Sequence, residues 1–142
     1  MSQGEWEPGR IQDPLCEEII GAAIEVHRHL GPGLLESAYE LCFCHELSLR
    51  SLRFERQRPV PIDYKGILLD CGYKLDVVVE GRVVVELKTV ERLLPIHVAQ
   101  VITYLKLTNH EVGLLMNFNV SLLRDGIRRL TKKSSPRLPL SL

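Results

Sequence analysis

Two runs of three valines constrain the fold of this 142-residue chain more than any other feature. Residues 77–79 and 83–85 belong to β-branched runs that flank Glu80-Gly81. Such runs on either side of a glycine-containing turn predict a β-hairpin. Both runs are apolar on both faces, which is typical of central strands covered by other elements on each side. We therefore expect this hairpin near the centre of a sheet.

Apolar residues recur at helical spacing before and after this hairpin. The spacing predicts a first helix over residues 14–30, between the N-cap residue Asp13 and the stop signal Gly31-Pro32-Gly33. The order of elements predicts an α/β (α+β) fold, with one mixed sheet flanked by helices and two helices at the N-terminus. The other predicted elements are helices at 34–52 and 95–107, a proline-containing edge strand at 54–64, and strands at 67–70, 112–118 and 127–130.

The length fits one domain with its own core. We expect that domain over residues 13–133, with a flexible N-terminal arm at 1–12 and a C-terminal tail at 134–142. No apolar run approaches the roughly 20 residues that span a bilayer, and the first residues lack the pattern of a secretory signal. The four cysteines match neither a paired zinc site nor the common iron–sulfur spacings, so we expect free thiols in the cytoplasm.

A net charge of zero argues at first against a nucleic-acid partner. The average hides a division, because residues 1–46 contain nine acids and two bases whereas residues 47–142 contain nine acids and sixteen bases. Two basic clusters in the second part are candidates to bind phosphates, and a solvated surface is the alternative for each residue. The clusters are Arg50, Arg53, Arg56 and Arg58, and Arg124, Arg128, Arg129, Lys132 and Lys133.

Three charged residues next to the valine runs are candidates for chemistry. Glu86 and Lys88 are two residues apart on a strand and therefore share a face. If the hairpin is centred on Gly81, Asp76 lies directly across from Glu86, and two carboxylates at that separation repel each other unless a cation bridges them. Oxygen ligands suit Mg²⁺ or Mn²⁺, and Lys88 can stabilise a developing negative charge, as phosphodiester hydrolysis requires.

The register of the hairpin decides whether this site can form. A two-residue turn at Glu80-Gly81 would pair Asp76 with Val85 and place Glu86 on the opposite face. The metal site therefore requires a loop of odd length or a bulge. The alternative is that Asp76, Glu86 and Lys88 form a structural salt-bridge cluster at a strand end.

Motifs in a fixed order make the chain resemble the GxxExxY protein family, within the PD-(D/E)XK nuclease superfamily. Gly33-Leu34-Leu35-Glu36-Ser37-Ala38-Tyr39 has the GxxExxY signature. The resemblance covers roughly residues 14–130 and implies a restriction-endonuclease-like core. The other matching segments are residues 20–27, 84–88, 97–105 and 113–118.

The resemblance also implies a role for each candidate. Asp76 would be the superfamily's aspartate, although a leucine precedes it in place of the proline, and Glu86 and Lys88 its (D/E)XK pair. Glu36, which alone would be an ordinary acid at a helix start, would complete the acidic pocket. Gln100 and Tyr104, which are four apart on one helix face, match the QxxxY motif that helps to hold the site and the substrate.

On this basis we expect a site for one or two Mg²⁺ or Mn²⁺ ions. Its ligands would be Asp76, Glu86 and the Leu87 carbonyl, with Glu36 bound directly or through water. In some branches of the superfamily a helical histidine is also a metal ligand, which makes His27 a further candidate. A capping or packing role is the alternative for His27.

The sequence thus predicts a metal-dependent nuclease that hydrolyses the phosphodiester bonds of nucleic acid, with DNA favoured over RNA. The alternative is a non-catalytic module that keeps the fold and binds nucleic acid or protein, and a structural subunit of a larger assembly is a third reading. The sequence is compatible with a homodimer or a protein partner, and no membrane contact is expected.

Overall fold

The computed structural model describes residues 13–136, and its three helices lie close to the predicted positions. Helix α1 spans Pro14–Leu30, α2 spans Glu36–Leu49 and α3 spans Pro95–Thr108. Asp13 caps α1 as predicted, because its Oδ1 accepts a hydrogen bond of 2.8 Å from Leu15 N. The predicted arm at 1–12 lies outside the described residues, as does the part of the predicted tail after residue 136.

The described strands form one five-stranded sheet and one separate hairpin. In chain order they are β1 (Phe54–Pro59), β2 (Ile62–Tyr64), β3 (Ile67–Leu69), β4 (Lys74–Val79), β5 (Val83–Lys88), β6 (Val112–Asn117) and β7 (Ile127–Thr131). The sheet has the order β1-β4-β5-β6-β7, and β2 pairs with β3 alone. Only the β5–β6 pair is parallel, so the sheet is mixed. The predicted hairpin is β4–β5, and β5 is the central strand.

Helices cover both faces of this sheet, as the valine runs predict. The odd-numbered valines of the two runs pack with α1 and α2 on one face. Val78 and Val84 pack with α3 on the other face. All six valines are at most 1% exposed, so their burial contributes to the core on both sides of the hairpin. The predicted α/β fold, with a mixed sheet and two N-terminal helices, is confirmed.

Two predicted elements differ by more than one residue from the observed ones. Helix α2 is shorter than the predicted 34–52, because Leu35 is an extended N-cap residue that is 77% exposed. The strand predicted over residues 54–64 is interrupted before β2. There Val60 N donates a hydrogen bond to Tyr73 O, and Pro61 has no amide hydrogen with which to continue a ladder. The chain then leaves the edge of the main sheet to form the β2–β3 hairpin.

Two further predictions concern the thiols and the membrane. All four cysteines are free, as the spacing predicts. Within residues 13–136, no helix is long and apolar enough to cross a membrane.

Candidate active site

The loop between β4 and β5 sets which residues face each other at the far end of the hairpin. Val77 pairs with Val85 and Val79 with Val83, which leaves three residues, 80–82, in the loop. Extending this register by one step places Asp76 across from Glu86. The odd-length loop that the metal-site interpretation requires is therefore present, and the alternative pairing of Asp76 with Val85 is wrong.

Asp76 and Glu86 are joined crosswise where the two strands separate. The regular pairing of β4 with β5 ends at Val77 and Val85. Beyond it, Asp76 N donates to Glu86 Oε2 at 2.9 Å, and Leu87 N donates to Asp76 Oδ2 at 2.9 Å. Each carboxylate is thus fixed by an amide of the opposite strand, which orients both side chains without a cation.

Burial and mutual repulsion raise the pKa values of this pair. Burial, followed by the negative charge of Asp76, raises the pKa of Glu86 to about 8. Burial also raises the pKa of Asp76, and the hydrogen bond from Leu87 N opposes that rise. Glu86 is buried and Asp76 is half-buried, so ionising both adjacent carboxyls costs free energy, and a shared proton or a bound cation removes that cost.

Helix α2 brings a third acid to the pair. Glu36 is the first residue of α2, and its pKa is raised by burial and then by the charge of Asp76. The positive charge of Lys88 opposes this rise. Glu36 is therefore electrostatically linked to both strands of the hairpin.

The tyrosine of the GxxExxY signature shapes the turn that precedes Glu36. The Tyr39 hydroxyl donates to Gly31 O and accepts a hydrogen bond of 3.2 Å from Leu34 N. The ring is fully buried and stacks on Phe118 with 4.6 Å between centroids. Tyr39 thus anchors the loop between α1 and α2, and through it the start of α2.

Helix α3 closes the opposite side of the site. Lys88 Nζ donates to Gln100 Oε1 at 3.5 Å, so the strand lysine meets the first residue of the QxxxY motif. Tyr104 is 7% exposed, and its pKa is raised by burial and then by the charge of Glu86. A hydrogen bond from Gln100 opposes this rise. The six predicted catalytic residues are therefore brought to one end of the β4–β5 hairpin: Glu36, Asp76, Glu86, Lys88, Gln100 and Tyr104.

The sequence was compared with known protein families. Residues 13–130 match the PD-(D/E)XK nuclease superfamily. The chain belongs to the PD-(D/E)XK nuclease superfamily. This confirms the broader part of the predicted resemblance, whereas membership of the GxxExxY family stays a prediction. No curated protein and no solved structure matches the chain.

PD-(D/E)XK proteins typically use divalent metal ions, and the acidic pair fits such an ion chemically. Asp76 and Glu86 offer oxygen donors, and burial raises the pKa of both carboxyls although the positive charge of Lys88 opposes the rise. Among residues 13–136, no group of three or more His, Cys, Asp or Glu side chains is arranged to hold a metal ion. Mg²⁺ or Mn²⁺ binding, with the Leu87 carbonyl and Glu36 as further ligands, stays a prediction.

A buried network next to this PD-(D/E)XK site was not predicted. Glu40 is 5% exposed and lies one turn after Glu36 on α2. It accepts hydrogen bonds of 2.9 Å from Arg56 Nε and of 2.9 and 3.1 Å from Gln57 Nε2. Its charge also raises the pKa of Asp76, after the larger effect of burial. The spacing between Glu36 and Glu40 was the one available signal, since residues four apart share a helix face.

Gln57 reaches this network through an unusual backbone conformation. Its φ of 53° lies in the left-handed region, which a residue with a Cβ seldom adopts. The pairing of β1 with β4 accordingly skips the position where Gln57 lies across from Asp76. Left-handed non-glycine residues are often retained at functional sites. Nothing in the sequence around Gln57 indicates this conformation.

His27 lies against the chain that follows β6. Its Nε2 is 3.1 Å from Phe118 O and 2.9 Å from Val120 O, and the residue is 6% exposed. An Nε2 that faces two carbonyl oxygens acts as a donor and has no lone pair to offer a metal. This placement favours the packing role for His27 over the metal role.

The two predicted basic clusters lie at opposite edges of the sheet and take part in contacts within the chain. In the first cluster, every arginine has an acidic partner: Arg50 has Glu18 and Glu46, Arg53 has Glu80, Arg56 has Glu40, and Arg58 has Glu55. In the second cluster, Lys132 pairs with Glu111, and Arg128 donates to the carbonyl oxygens of Asp125 and Ile127. The second cluster also contains Arg124, Arg129 and Lys133. Nucleic-acid binding by either cluster stays a prediction.

Proposed function

We propose that the protein is a Mg²⁺- or Mn²⁺-dependent nuclease that hydrolyses the phosphodiester bonds of nucleic acid, with DNA favoured over RNA. The observation that carries this proposal is the crosswise pair of Asp76 and Glu86 at the end of a buried hairpin, with Lys88 on the same strand as Glu86. Membership of the PD-(D/E)XK superfamily supports it. We also propose that the chain is a GxxExxY protein, that residues 13–133 form its one nuclease-like domain, and that it acts in the cytoplasm.

The acids of the site would hold the metal. Asp76, Glu86 and the Leu87 carbonyl would bind it, with Glu36 in direct contact or through water. When bound, the ion would lower the pKa of a water and neutralise negative charge on the scissile phosphate. The amides of Asp76 and Leu87 keep the two carboxylates oriented toward each other before any ion binds.

Lys88 and helix α3 would act on the substrate. The Lys88 ammonium would stabilise the charge that develops on the phosphorus oxygens or orient the attacking water. Gln100 accepts a hydrogen bond from Lys88 Nζ and thereby holds that ammonium in place. Tyr104, which lies next to the charge of Glu86, would contact the phosphate or support the wall of the site.

The decisive test is a cleavage assay with the purified full chain. Single-stranded DNA, duplex DNA and RNA are each incubated with Mg²⁺, Mn²⁺ or EDTA. We expect chelator-sensitive products on at least one substrate, and we expect Glu86→Ala and Lys88→Ala to abolish them while the protein stays folded. Products that persist in both variants would reject this site.

Matched variants control for the loss of charge alone. Glu111→Ala and Lys106→Ala each remove an exposed charge outside the site and should retain full cleavage. If no substrate gives a chelator-sensitive product, the non-catalytic binding module becomes the better description.

A further inference from the structure

A largely apolar groove lies beside α3 and shares Lys88, Gln100 and Tyr104 with the candidate site. It has a volume of about 500 Å³, and its lining includes Lys88, Ile62, Tyr73, Ile96 and Tyr104. Pockets of this size typically hold a small molecule, so the groove suits one or two nucleotides rather than a whole double helix. Lys88 belongs both to this groove and to the proposed catalytic site, which makes the two continuous.

The groove presents an ordered aromatic ring to solvent. Tyr73 is 44% exposed, and its ring packs against that of Tyr104 with 6.0 Å between centroids and 57° between planes. Tyr104 is itself almost fully buried, so it fixes the position of Tyr73. An exposed ring held in this way can stack on a nucleobase, since every base has a flat aromatic face.

Apolar and aromatic side chains form most of the lining of the groove, and its polar members are Lys88, His97, Gln100 and Thr103. Ile96 is 67% exposed and Leu107 is 39% exposed, and both line the groove. Exposed apolar side chains do not bind phosphates favourably. They can instead pack against the flat faces of nucleobases and remove them from water. Lys88 supplies a positive charge to the lining of the groove, and the same charge acts on Glu86 of the acidic pair.

We propose that this groove binds unpaired bases of single-stranded DNA whose phosphate lies at Lys88. This inference rests on the proposed nuclease function and specifies its substrate as a single strand. In a duplex the bases are stacked and paired, so they reach Tyr73 only after they are flipped out, which costs a few kcal/mol. The choice of DNA follows the proposed function.

Binding in the absence of cleavage tests this proposal separately from nuclease activity. A labelled twelve-residue dT strand and its duplex with dA are titrated with the full chain in EDTA, and fluorescence anisotropy gives both Kd values. We expect the single strand to bind at least tenfold more tightly than the duplex. Equal binding of the two, tighter binding of the duplex, no binding of either, or tighter binding of an RNA strand of the same length would overturn the proposal. The cleavage assay can succeed or fail independently of this result.

Variants of the groove identify where the bases bind. Tyr73→Ala should weaken single-strand binding about tenfold, which corresponds to about 1.4 kcal/mol for one stacked base. Tyr73→Phe keeps the ring and should bind like the wild type. Ile96→Ser alters an exposed groove residue without disturbing the core, and it should also weaken binding.

Two controls separate stacking from general effects. Tyr64→Ala removes a tyrosine that is 60% exposed and does not line the groove, so it should leave the Kd unchanged. A strand of abasic sites keeps its phosphates, and it should bind the wild type and Tyr73→Ala equally. If Tyr73→Ala and Ile96→Ser both bind dT like the wild type, or if the abasic strand still distinguishes Tyr73→Ala from it, the bases do not bind in this groove.

Discussion

The main-chain amide of Asp76 donates a hydrogen bond of 2.9 Å to Glu86 Oε2, so a buried and a half-buried carboxylate meet where β4 and β5 separate. This contact holds the acidic pair in place. Burial and then the negative charge of Asp76 raise the pKa of Glu86, and the hydrogen bond from Asp76 N and the charge of Lys88 offset this rise only in part. The stability of the protein and its affinity for a metal ion should therefore both depend on pH through this pair.

We expect the free energy of unfolding of the metal-free protein to fall as the pH rises from about 5 to about 8. The pKa of Glu86 is about 8 in the folded chain against an ordinary value of 4.5, so the folded state binds more protons than the unfolded state between these values. Glu86→Gln should remove most of this slope and be more stable than the wild type by roughly 4 kcal/mol at pH 8. Urea denaturation in EDTA at several pH values measures the effect.

Other titratable and charged groups that face Glu86 also affect the pH dependence of stability. Asp76 also has a raised pKa and adds to the slope, whereas Lys88 lowers the pKa of Glu86. Tyr104, from α3, is neutral below its own raised pKa. Glu111→Gln, which alters an exposed acid, should keep the wild-type slope. A stability that does not change between pH 5 and pH 8 would contradict the expected protonation of the pair.

Mg²⁺ or Mn²⁺ should stabilise the protein, and more strongly at pH 8 than at pH 6. The ligands must lose their protons before they bind a cation, so metal binding replaces the proton that the pair otherwise holds. At a hundredfold excess over Kd the gain is about 2.7 kcal/mol, or a rise in Tm of roughly 9 °C for a chain of this size. Scanning calorimetry with and without 10 mM metal measures it.

Asp76→Asn is the informative variant for this metal effect. It removes one carboxylate and leaves a similar shape, so the rise in Tm should disappear, whereas Glu111→Gln should show the full rise. The same rise in Asp76→Asn and wild type would place the metal elsewhere in the protein.

How far the sequence predicts the site depends on the register of one loop. The valine runs and the placement of Glu86 and Lys88 on one face follow from strand periodicity alone. Whether Asp76 faces Glu86 depends on whether the loop has two or three residues, and short-range preferences allow both. The structure resolves this with left-handed conformations at Glu80 and Gly81, of which only the second is expected from residue type.

The network around Glu40 is less predictable because it is tertiary. From the sequence, Arg56 is predicted to be an exposed arginine of an edge strand. The packing of α2 against the sheet brings it to the buried carboxylate of Glu40. Gln57 adopts a backbone conformation that its residue type disfavours. Helix α2 likewise ends at Leu49 instead of the predicted residue 52, and Ser51 beyond it adopts a left-handed conformation. Leu41 and Leu49 contribute to the apolar pattern of this helix but face solvent. Periodicity cannot distinguish such exposed leucines from core residues.

Tyr39→Phe should destabilise the protein by about 1–2 kcal/mol, although the ring keeps its stacking on Phe118. The hydroxyl contacts both Gly31 O and Leu34 N in part-buried hydrogen bonds, and its loss leaves these groups without that partner. Chemical denaturation measures the change. Tyr64→Phe, at an exposed ring, should have no effect, and the same stability for Tyr39→Phe and wild type would show that the hydroxyl does not hold the turn before Glu36.

Arg56→Ala should destabilise the protein by about 2 kcal/mol, whereas Arg58→Ala should change its stability by less than about 0.5 kcal/mol. The two arginines lie on the same strand and their side chains are 40% and 41% exposed, so they differ mainly in their partners. Arg56 pairs with Glu40, whose side chain is 7% exposed, and its removal leaves a buried carboxylate with Gln57 as the remaining donor of the network. Arg58 is 3.5 Å from Glu55, an acid that water can solvate. Equal losses in urea denaturation of the two variants would show that burial of the partner does not set the strength of these pairs.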